Sequence, residues 1–293
     1  EAFWELHTQG RPLLPDILLR MVWMYHSSKG GSFDVVHEPG AGIGLYTERL
    51  AQKFRHVITS DTERSSLDIA TRRLRHLKNV EYRLAKMESA MRLPREEVDM
   101  VFAVNVTHFT DTERMIDALD RQLRPGGTFA AIIVGPSRLD DPAAQNLWKR
   151  LWFNNLNAAM QSTVGGIATD QSWLDKFVNG LDTLPLPNDI FEHGHTRIFF
   201  NAERAWQDKV LPSGVSSDGT PSQITERDRT FHMEGDESFH FSTDISGLRM
   251  QLAAMAPAGL SSEVETCLEE LDRSLNGRTV SGKFVVQCLL ATK

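Results

Sequence analysis

Apolar and polar positions alternate along the first half of the chain in a pattern that predicts strands and helices in turn. Short apolar runs are typical of buried strands, and the stretches between them have the spacing of amphipathic helices. Thr110 or Asp111 is the expected N-cap of the third helix, which the Pro and Gly residues at 125–127 end. The pattern predicts strands at 33–38, 57–60, 80–84, 98–105 and 128–134, and helices at 46–54, 64–76 and 111–123.

Strands that alternate with helices indicate βαβ units and a parallel sheet. The near-continuous apolar strands are those expected when both faces of a sheet are covered. The sequence therefore predicts a doubly wound α/β core at 31–135, preceded by an N-terminal lid helix at 1–30. Ligands of such sheets bind beyond the carboxyl ends of the strands, so the loops that begin at Glu38, Asp61, Ala85 and Asn105 should converge.

The second half of the chain is less regular. A helical stripe at 143–160 carries Trp148 and Trp152, which indicates either core packing or a helix that caps a substrate. We expect 136–245 to form an inserted helical cap, with a strand near 191–200 and a surface loop or lid at 211–229. We expect 246–293 to complete the core with an acidic helix at 262–275 and a final strand at 283–292.

Composition limits the classes of partner. The chain has 293 residues, of which 41% are hydrophobic and 24% charged, as in an ordinary globular protein. A net charge of −7 disfavours a nucleic-acid partner. No apolar stretch is long enough to span a bilayer, and the two cysteines give no disulfide framework. We therefore expect no membrane partner and a cytoplasmic location, with the oligomeric state open.

The strongest local signal is the segment EPGAGIG at 38–44, which lies between a predicted strand and a predicted helix. Glycines let the backbone turn sharply and let a ligand approach the main chain. The dinucleotide fingerprint requires Gly or Ala where this chain has Leu45, and the GK[ST] ending of a triphosphate-binding loop is absent. The alternating glycines therefore indicate another nucleotide-type ligand, with a plain tight turn as the alternative.

This E-x-G-x-G-x-G segment resembles motif I of class I S-adenosylmethionine-dependent methyltransferases. The resemblance implies a Rossmann-like, mostly parallel seven-stranded sheet and S-adenosylmethionine as the cofactor. Asp61 resembles the acid that holds the ribose hydroxyls, with Glu63 as a fallback and an N-cap as the alternative role. The segment KME at 86–88 resembles the loop that contacts adenine. The cofactor-binding residues so implied are Glu38, Gly40, Ala41, Gly42, Gly44, Asp61, Thr62, Met87, Glu88, Asn105 and Val106.

The segments NVTHFTD at 105–111 and LRPGG at 123–127 are similar to the trans-aconitate methyltransferase-like subgroup, particularly its fungal members. That subgroup usually has Glu where this chain has Asn105, which can bond the amino group of the cofactor but adds no charge. Pro39 is a second departure, because it lacks a backbone N–H. The resemblance also singles out Trp4 and Arg11 as substrate-binding residues.

Further candidates for the acceptor site come from aromatic and basic side chains. Phe109 replaces the Trp of the subgroup and keeps an aromatic wall, and Trp148 and Trp152 are candidate apolar walls of an acceptor pocket. His193 and His195 lie two apart on the predicted strand, so they could hold a carboxylate or simply form a solvated strand face. These two histidines lack further ligands in sequence reach, so we expect no metal site.

His108 is the candidate catalytic residue, because the resemblance places it at the carboxyl end of a strand and an unperturbed histidine titrates near neutrality. A hydroxyl acceptor would need such a base. A carboxylate acceptor would need only cationic or donor groups to hold it, for which Arg11, His193 and His195 are the candidates.

The function implied is methyl transfer from S-adenosylmethionine to a small organic molecule, as O-methylation of a hydroxyl or carboxyl group in secondary metabolism. A protein of the same fold that binds the cofactor but catalyses a non-methylating reaction, as a cyclase or isomerase, is the alternative. Asn105 and Pro39 keep that alternative open. A nicotinamide-dependent oxidoreductase is disfavoured by Leu45 at the third fingerprint position.

Overall fold

The computed structural model describes residues 7–89, 93, 95–159, 163–164, 167–168, 170–202, 219–256 and 259–293. Its strands are β1 (Val35–Pro39), β2 (His56–Asp61), β3 (Val80–Leu84), β4 (Val98–Val104), β5 (Leu123–Leu139), β6 (Thr163–Val164), β7 (Ile167–Ala168), β8 (Thr196–Phe200), β9 (Arg229–Met233), β10 (His240–Thr243) and β11 (Val280–Thr292).

The main sheet is mixed and mostly parallel. Its strands follow the order β3-β2-β1-β4-β5-β11-β8-β9, with β10 also paired to β11. Strands β1 to β5 run parallel to one another, and β8 runs parallel to β9. Strand β11 is antiparallel to β5, β8 and β10. Strands β6 and β7 form a separate two-stranded sheet.

Within the described ranges the main sheet has nine strands, which corrects the expected seven. The two additional strands are β9 and β10, at 229–233 and 240–243. Most of their side chains are exposed, so they carry no apolar run that a periodicity argument would detect. Residues 211–218 of the predicted loop at 211–229 lie outside the described residues.

Helices alternate with the strands of the first half and are concentrated between β5 and β8 and before β11. Helix α4 begins after Asp111, whose carboxylate accepts from the Arg114 backbone N–H at 3.1 Å and so forms the predicted N-cap. The helices are α1 (Asp16–Ser28), α2 (Thr47–Lys53), α3 (Arg64–Arg73), α4 (Thr112–Gln122), α5 (Pro142–Ala159), α6 (Gln171–Asn179), α7 (Ile245–Ala253) and α8 (Ser262–Leu275).

Several strand bounds differ from those predicted. Strand β5 begins at Leu123 rather than 128, because Leu123 pairs with Val98 of β4, and it ends at Leu139 rather than 134. Strand β8 begins at Thr196 rather than 191. The chain turns before it at Gly194, whose φ is +85° and where a Cβ would lie 2.6 Å from the Arg227 carbonyl oxygen.

The sheet is covered on both faces, which fixes the positions of its carboxyl ends. Helix α1 packs into one face through Leu18 and Val22, which are fully buried against Phe102 of β4. Helices α4 and α6 cover the other face through Met115 and Phe177. Residues 16–28 of the expected lid region 1–30 form the core helix α1, and residues 1–6 lie outside the described residues, so the lid itself stays a prediction. The strand order reverses between β1 and β4, so a crevice opens beyond their carboxyl ends.

Candidate active site

A cavity of about 670 Å³ opens at the carboxyl ends of β1, β2 and β4. Its size is within the range of small-molecule and cofactor sites. The structure brings all the predicted cofactor loops to this cavity, together with Arg11, His108 and Phe109. Trp4 lies outside the described residues.

The glycine loop follows β1 with a backbone that only glycine adopts freely. Gly40, Gly42 and Gly44 have φ values of +64°, +55° and +72°. A Cβ added to Gly40 would lie 2.5 Å from Cγ2 of Val106, at the end of β4. The loop therefore needs glycine at this position both for its backbone conformation and for the close approach of the β4 end.

Glu38 is buried at the base of the cavity. One carboxylate oxygen, Oε2, accepts from the Thr47 hydroxyl at 2.5 Å, whereas Oε1 has no hydrogen-bond partner among the described residues. Burial raises the pKa of this carboxyl to about 8. An unpaired buried acceptor in a cavity fits a ligand that brings donors or positive charge, and the cofactor's ammonium group is such a ligand.

Asp61 ends β2 beside the glycine loop. Its Oδ2 accepts from the Gly42 backbone N–H at 2.7 Å, and its Oδ1 accepts from the Glu63 backbone N–H at 2.9 Å. Burial raises the pKa of Asp61 from its ordinary value. Each carboxylate oxygen keeps further acceptor capacity, so the same side chain can stabilise the loop and receive a diol. Thr62 also lines the cavity.

The loop after β3 contributes Met87 and Glu88. Met87 is buried and lines the cavity, where its thioether can pack on a flat ring. Glu88 accepts from the Asp111 backbone N–H at 3.0 Å through Oε1, which ties this loop to the start of α4. The adenine-side assignment of both residues stays a prediction.

Asn105 has a structural role that the sequence did not reveal. It has a φ of +53°, which Asn tolerates better than most residues, and its Oδ1 accepts from the Val134 backbone N–H at 2.9 Å. This bond joins the end of β4 to β5. The amide oxygen is therefore already engaged, and Glu38 is the carboxylate available for the cofactor's positive charge.

His108 and Phe109 form an aromatic wall with two residues of α6. The His108 ring lies 4.4 Å from that of Phe109 and 5.3 Å from that of Phe177, and Phe109 lies 5.9 Å from Trp173, measured between ring centroids. Burial, with smaller effects from the Arg11 and Lys176 charges, lowers the pKa of His108 to about 3. This pKa contradicts the near-neutral titration on which its assignment as a base depended.

The N-terminal segment closes the opposite side of the cavity. Arg11 lies in the lining together with His7 and Tyr46, and its guanidinium contacts the sulfur of Met255. Burial lowers the pKa of Arg11 to about 10, which leaves it charged at neutral pH. No carboxylate among the described residues pairs with it. Gly10 sets this segment against α7, since a Cβ there would lie 2.3 Å from the Met250 carbonyl oxygen.

Trp148 and Trp152 do not line the cavity, which corrects their assignment to an acceptor pocket. Both lie in the cluster formed by α5, α7 and α8, and Trp148 donates to the Ser137 carbonyl at 2.9 Å. Of α5, Leu156 lines the cavity instead, one turn further along. The stripe at 143–160 is therefore mainly core packing, the other interpretation that the sequence allowed.

His193 and His195 also lie away from the cavity, so they are not placed to hold its ligand. They precede β8 and line a separate polar pocket of about 410 Å³. That pocket contains an ion pair between Arg197 and Asp228 at 2.7 Å, in which both side chains are 1% exposed. The His195 backbone N–H donates to the same aspartate at 3.1 Å.

Sequence reasoning missed several residues of the lining. Trp173 comes from α6, for which no helix was predicted, and Met255 follows α7. Neither belongs to a motif, so only tertiary packing brings them to the cavity. Residues 171–179 do carry apolar side chains at helical spacing, so the periodicity of that segment could have predicted the helix. The other lining residues that were missed include His7, Leu45, Tyr46, Asp68, Ile69, Arg72 and Leu156.

In the described part of the chain, no group of three His, Cys, Asp or Glu side chains is arranged to hold a metal ion. None of the helices found there is both long and apolar enough to cross a membrane.

Comparison with known proteins places this site in a family. Residues 37–131 match the methyltransferase domain model. The whole chain is 34% identical to methyltransferase tpcM of Aspergillus fumigatus, 92% of which it covers. It is 31% identical to methyltransferase gedG of Aspergillus terreus, of which 91% is covered by an alignment that spans 99% of this chain.

The fold comparison agrees. A solved structure from Anaeromyxobacter dehalogenans, described as a type II methyltransferase, superposes with a TM-score of 0.55 at 18% identity, covering 96% of this chain and 97% of that one. The chain therefore belongs to the class I S-adenosylmethionine-dependent methyltransferases, in a family with these fungal enzymes. Its cofactor is S-adenosylmethionine. The unpaired Oε1 of Glu38 and the glycine cradle under Val106 fit that cofactor.

Proposed function

We propose that this methyltransferase O-methylates a carboxylate of a small organic acid, as a step of secondary metabolism. The observation that carries the proposal is Arg11, a charged, half-buried guanidinium that lines the cavity without a carboxylate partner among the described residues. A methyl ester would be the product. A hydroxyl acceptor is the weaker form of the same proposal.

A guanidinium that lines a cavity without a charge partner calls for an anionic ligand. Burying a charge costs several kcal/mol unless it is paired, so an unpaired cation is retained where a ligand supplies the anion. The planar donors of Arg fit a carboxylate in a bidentate arrangement. Tyr46 is close enough to Arg11 for each to shift the other's pKa, and it adds a hydroxyl on the same side of the cavity.

The state of His108 favours a carboxylate over a hydroxyl acceptor. An alcohol or phenol must lose a proton as its oxygen is methylated, whereas a carboxylate is already anionic at neutral pH. With a pKa near 3, His108 is neutral but too weak a base to remove that proton efficiently. The aromatic wall excludes water and can order the acceptor without proton transfer.

Residues of this chain would bind the cofactor and orient the acceptor. Glu38 and the glycine loop would hold the methionine end, Asp61 the ribose hydroxyls, and Met87 with Glu88 the adenine. The bound cofactor supplies the methyl group on a positively charged sulfur. Arg11 and the wall of Phe109 and Trp173 would orient the acceptor oxygen for in-line attack, and orientation is the main contribution a protein can make to such a transfer.

No observation favours the non-methylating alternative. Asn105 stands where the subgroup has Glu and its oxygen accepts from the Val134 N–H, while Glu38 remains as a buried acid for the cofactor. Pro39 lies at the end of β1, where Ala41 rather than residue 39 donates to the Ser60 carbonyl at 3.0 Å. The two departures therefore leave the cradle intact.

The test is transfer of a labelled methyl group from S-adenosylmethionine to a panel of carboxylic acids and to their amides and hydroxyl analogues. A methyl ester releases the label as methanol in mild alkali, whereas an ether keeps it. We expect alkali-labile product from acids only. Alkali-stable label from hydroxyl analogues would overturn the carboxylate assignment.

Substitutions of Arg11 test whether this side chain recognises the methyl acceptor. Arg11→Met should raise the acceptor KM at least about tenfold, the effect of losing a charge-assisted hydrogen bond, while cofactor binding changes little. Arg11→Lys should recover part of the loss. Arg49→Met is the matched control, because Arg49 pairs with Asp16 on the surface. Equal effects of the two Met substitutions would refute the role of Arg11.

A further inference from the structure

Two neighbouring ring nitrogens in the aromatic wall are enclosed without a hydrogen-bond partner. These are Nδ1 of His108 and Nε1 of Trp173. Trp173 is 5% exposed and His108 is 4% exposed, so bulk water does not compensate either atom. A buried polar atom without a partner is unfavourable, and two of them side by side point to a shared interaction.

The two rings are neighbours but their nitrogens do not bond directly, so a bridging water molecule is the partner that can serve both. The rings meet edge to face, with centroids 6.2 Å apart and planes inclined by 61°. The other rings against His108 belong to Phe109 and Phe177, which offer no hydrogen-bonding group. An indole N–H can only donate, so Nδ1 of His108 must be the acceptor in any such pair.

The other nitrogen of His108 faces a different environment. His108 lines the cavity, and Nε2 neither belongs to the enclosed unpartnered atoms nor bonds to a described residue. Nε2 is therefore the nitrogen that retains access to the cavity. Which nitrogen carries the proton decides whether the cavity receives a donor or an acceptor.

We propose that Trp173 is a positioning residue that fixes the tautomer of His108. Its indole N–H donates to a shared water molecule that in turn donates to Nδ1, and this places the His108 proton on Nε2. His108 then presents an N–H donor to the cavity and holds an oxygen of the methyl acceptor. The second half of this inference rests on the proposed function, whereas the tautomer itself does not.

A donor at this position complements Arg11. The carboxylate of the acceptor would receive hydrogen bonds from two sides of the cavity, one from the guanidinium and one from the imidazole. Neither group takes a proton from the acceptor. His108 would therefore select acceptors that arrive as anions, and its contribution would be to binding and orientation.

The direct test is heteronuclear NMR of protein containing isotope-labelled histidine, since the shifts and couplings of the ring nitrogens report the tautomer. The His108 signal is identified by its loss in His108→Gln. We expect His108 to be in the Nε2–H form in the wild type and to move toward a tautomer mixture in Trp173→Phe. A wild-type Nδ1–H form, or an unchanged tautomer in Trp173→Phe, would overturn the inference.

Trp152→Phe is the matched control. Trp152 also has a buried indole nitrogen without a partner among the described residues, but it lies in the cluster of α5, α7 and α8. It should leave the His108 ring signals unchanged even if it costs as much thermal stability as Trp173→Phe. Equal spectral changes in both variants would mean that Trp173 acts only through packing.

Kinetics test the role in the reaction. The amide of Gln can place an N–H near the position of Nε2 but cannot serve as a base, so His108→Gln should retain most of the activity that His108→Ala loses. Trp173→Phe should raise the acceptor KM about three- to tenfold, as expected for one weakened hydrogen bond, with a smaller change in kcat.

The two proposals fail in different ways. If the protein methylates no carboxylate but shows the expected tautomers, only the acceptor assignment fails. If ester formation is found but His108→Gln is as inactive as His108→Ala, the donor role of His108 fails and the proposed function stands.

Discussion

Burial sets the charge states of the residues that face the cavity. Glu38 has its pKa raised to about 8, and His108 has its pKa lowered to about 3. In both cases desolvation disfavours the charged form and is the largest cause. The cavity is therefore lined by a neutral His108 imidazole, a charged Arg11 and, at pH 7, a mostly protonated Glu38 carboxyl.

His108 gives the first prediction at this scale. Because its folded pKa is lowered, it is neutral at every pH above about 3. The acceptor kcat/KM should therefore show no histidine limb between about pH 5 and 8, the range in which an ordinary histidine base titrates. His108→Ala should lower turnover and leave cofactor affinity within a few-fold. A bell-shaped profile that disappears in His108→Ala would restore the base, and lost cofactor binding in a folded variant would contradict the acceptor-side role.

Asp61 gives the second prediction at the scale of residues. Asp61→Ala should weaken binding of S-adenosylhomocysteine by about 1–3 kcal/mol, because buried hydroxyls would lose their acceptor. Calorimetric titration measures this, with NAD as a ligand control. Glu63→Ala is the matched variant, since the Glu63 carboxylate bonds the Ser65 and Ser66 hydroxyls at 2.6 and 3.1 Å. Unchanged affinity in Asp61→Ala, or a larger loss in Glu63→Ala, would move the ribose role to Glu63.

Residues carried by a motif could be predicted from sequence, and residues carried by packing could not. Gly40, Gly42, Glu38, Asp61 and Met87 were placed correctly at the cavity, because strand ends and loops fix their positions locally, whereas Gly44 is not among the residues that line it. The pKa of His108 depends on Phe177 and other distant contacts, which a local pattern does not contain. Trp148 was misplaced because a helical stripe looks the same whether it packs on a sheet or on a substrate.

At the scale of elements, the glycine loop joins β1 to α2 and meets the end of β4. The bounds of this loop could be predicted from sequence, because Gly40, Gly42 and Gly44 interrupt the strand pattern before them and the helix pattern after them. The bounds of the long β5 and of the edge strands β9 and β10 could not be predicted, since pairing partners decide where such strands begin. Local sequence therefore defined the cofactor half of the site better than the acceptor half.

Gly40→Ala tests how tightly the loop is constrained. The substitution places a methyl 2.5 Å from Val106 Cγ2 in a backbone with φ of +64°. Gly30→Ala is the matched control, because Gly30 has a φ of +78° and no neighbour within 4 Å of its added Cβ. Gly30→Ala should cost only about 1–2 kcal/mol of unfolding free energy, the strain of a left-handed backbone.

Gly40→Ala should lower the unfolding free energy, measured with denaturant, by more than Gly30→Ala does. It should also weaken S-adenosylhomocysteine binding at least about tenfold, because a misplaced loop loses the free energy of at least one hydrogen bond to the ligand. If both variants unfold alike and bind the cofactor product alike, the contact between Gly40 and Val106 does not shape the site.

At the scale of the whole molecule, cofactor binding, protonation and stability are linked through Glu38. Its folded pKa of about 8 lies above the ordinary value of 4.5, so the ligand-free fold retains a proton that the unfolded chain releases. This contribution to stability is fully present below about pH 4.5 and is lost as pH rises through 8. A bound cation beside the carboxylate reverses the preference, because it favours the ionised form.

Binding of S-adenosylhomocysteine, whose ammonium group is cationic, should therefore release close to one proton at pH 7, and affinity should rise between about pH 6 and 8. Calorimetry at pH 7 in two buffers of different ionisation enthalpy measures the proton directly. Glu38→Gln should remove both the proton release and the pH dependence, at some cost in affinity. Asp61 is the control group, since its pKa is also raised by burial. If proton release persists in Glu38→Gln and vanishes in Asp61→Asn, the linkage belongs to the ribose side of the cavity instead.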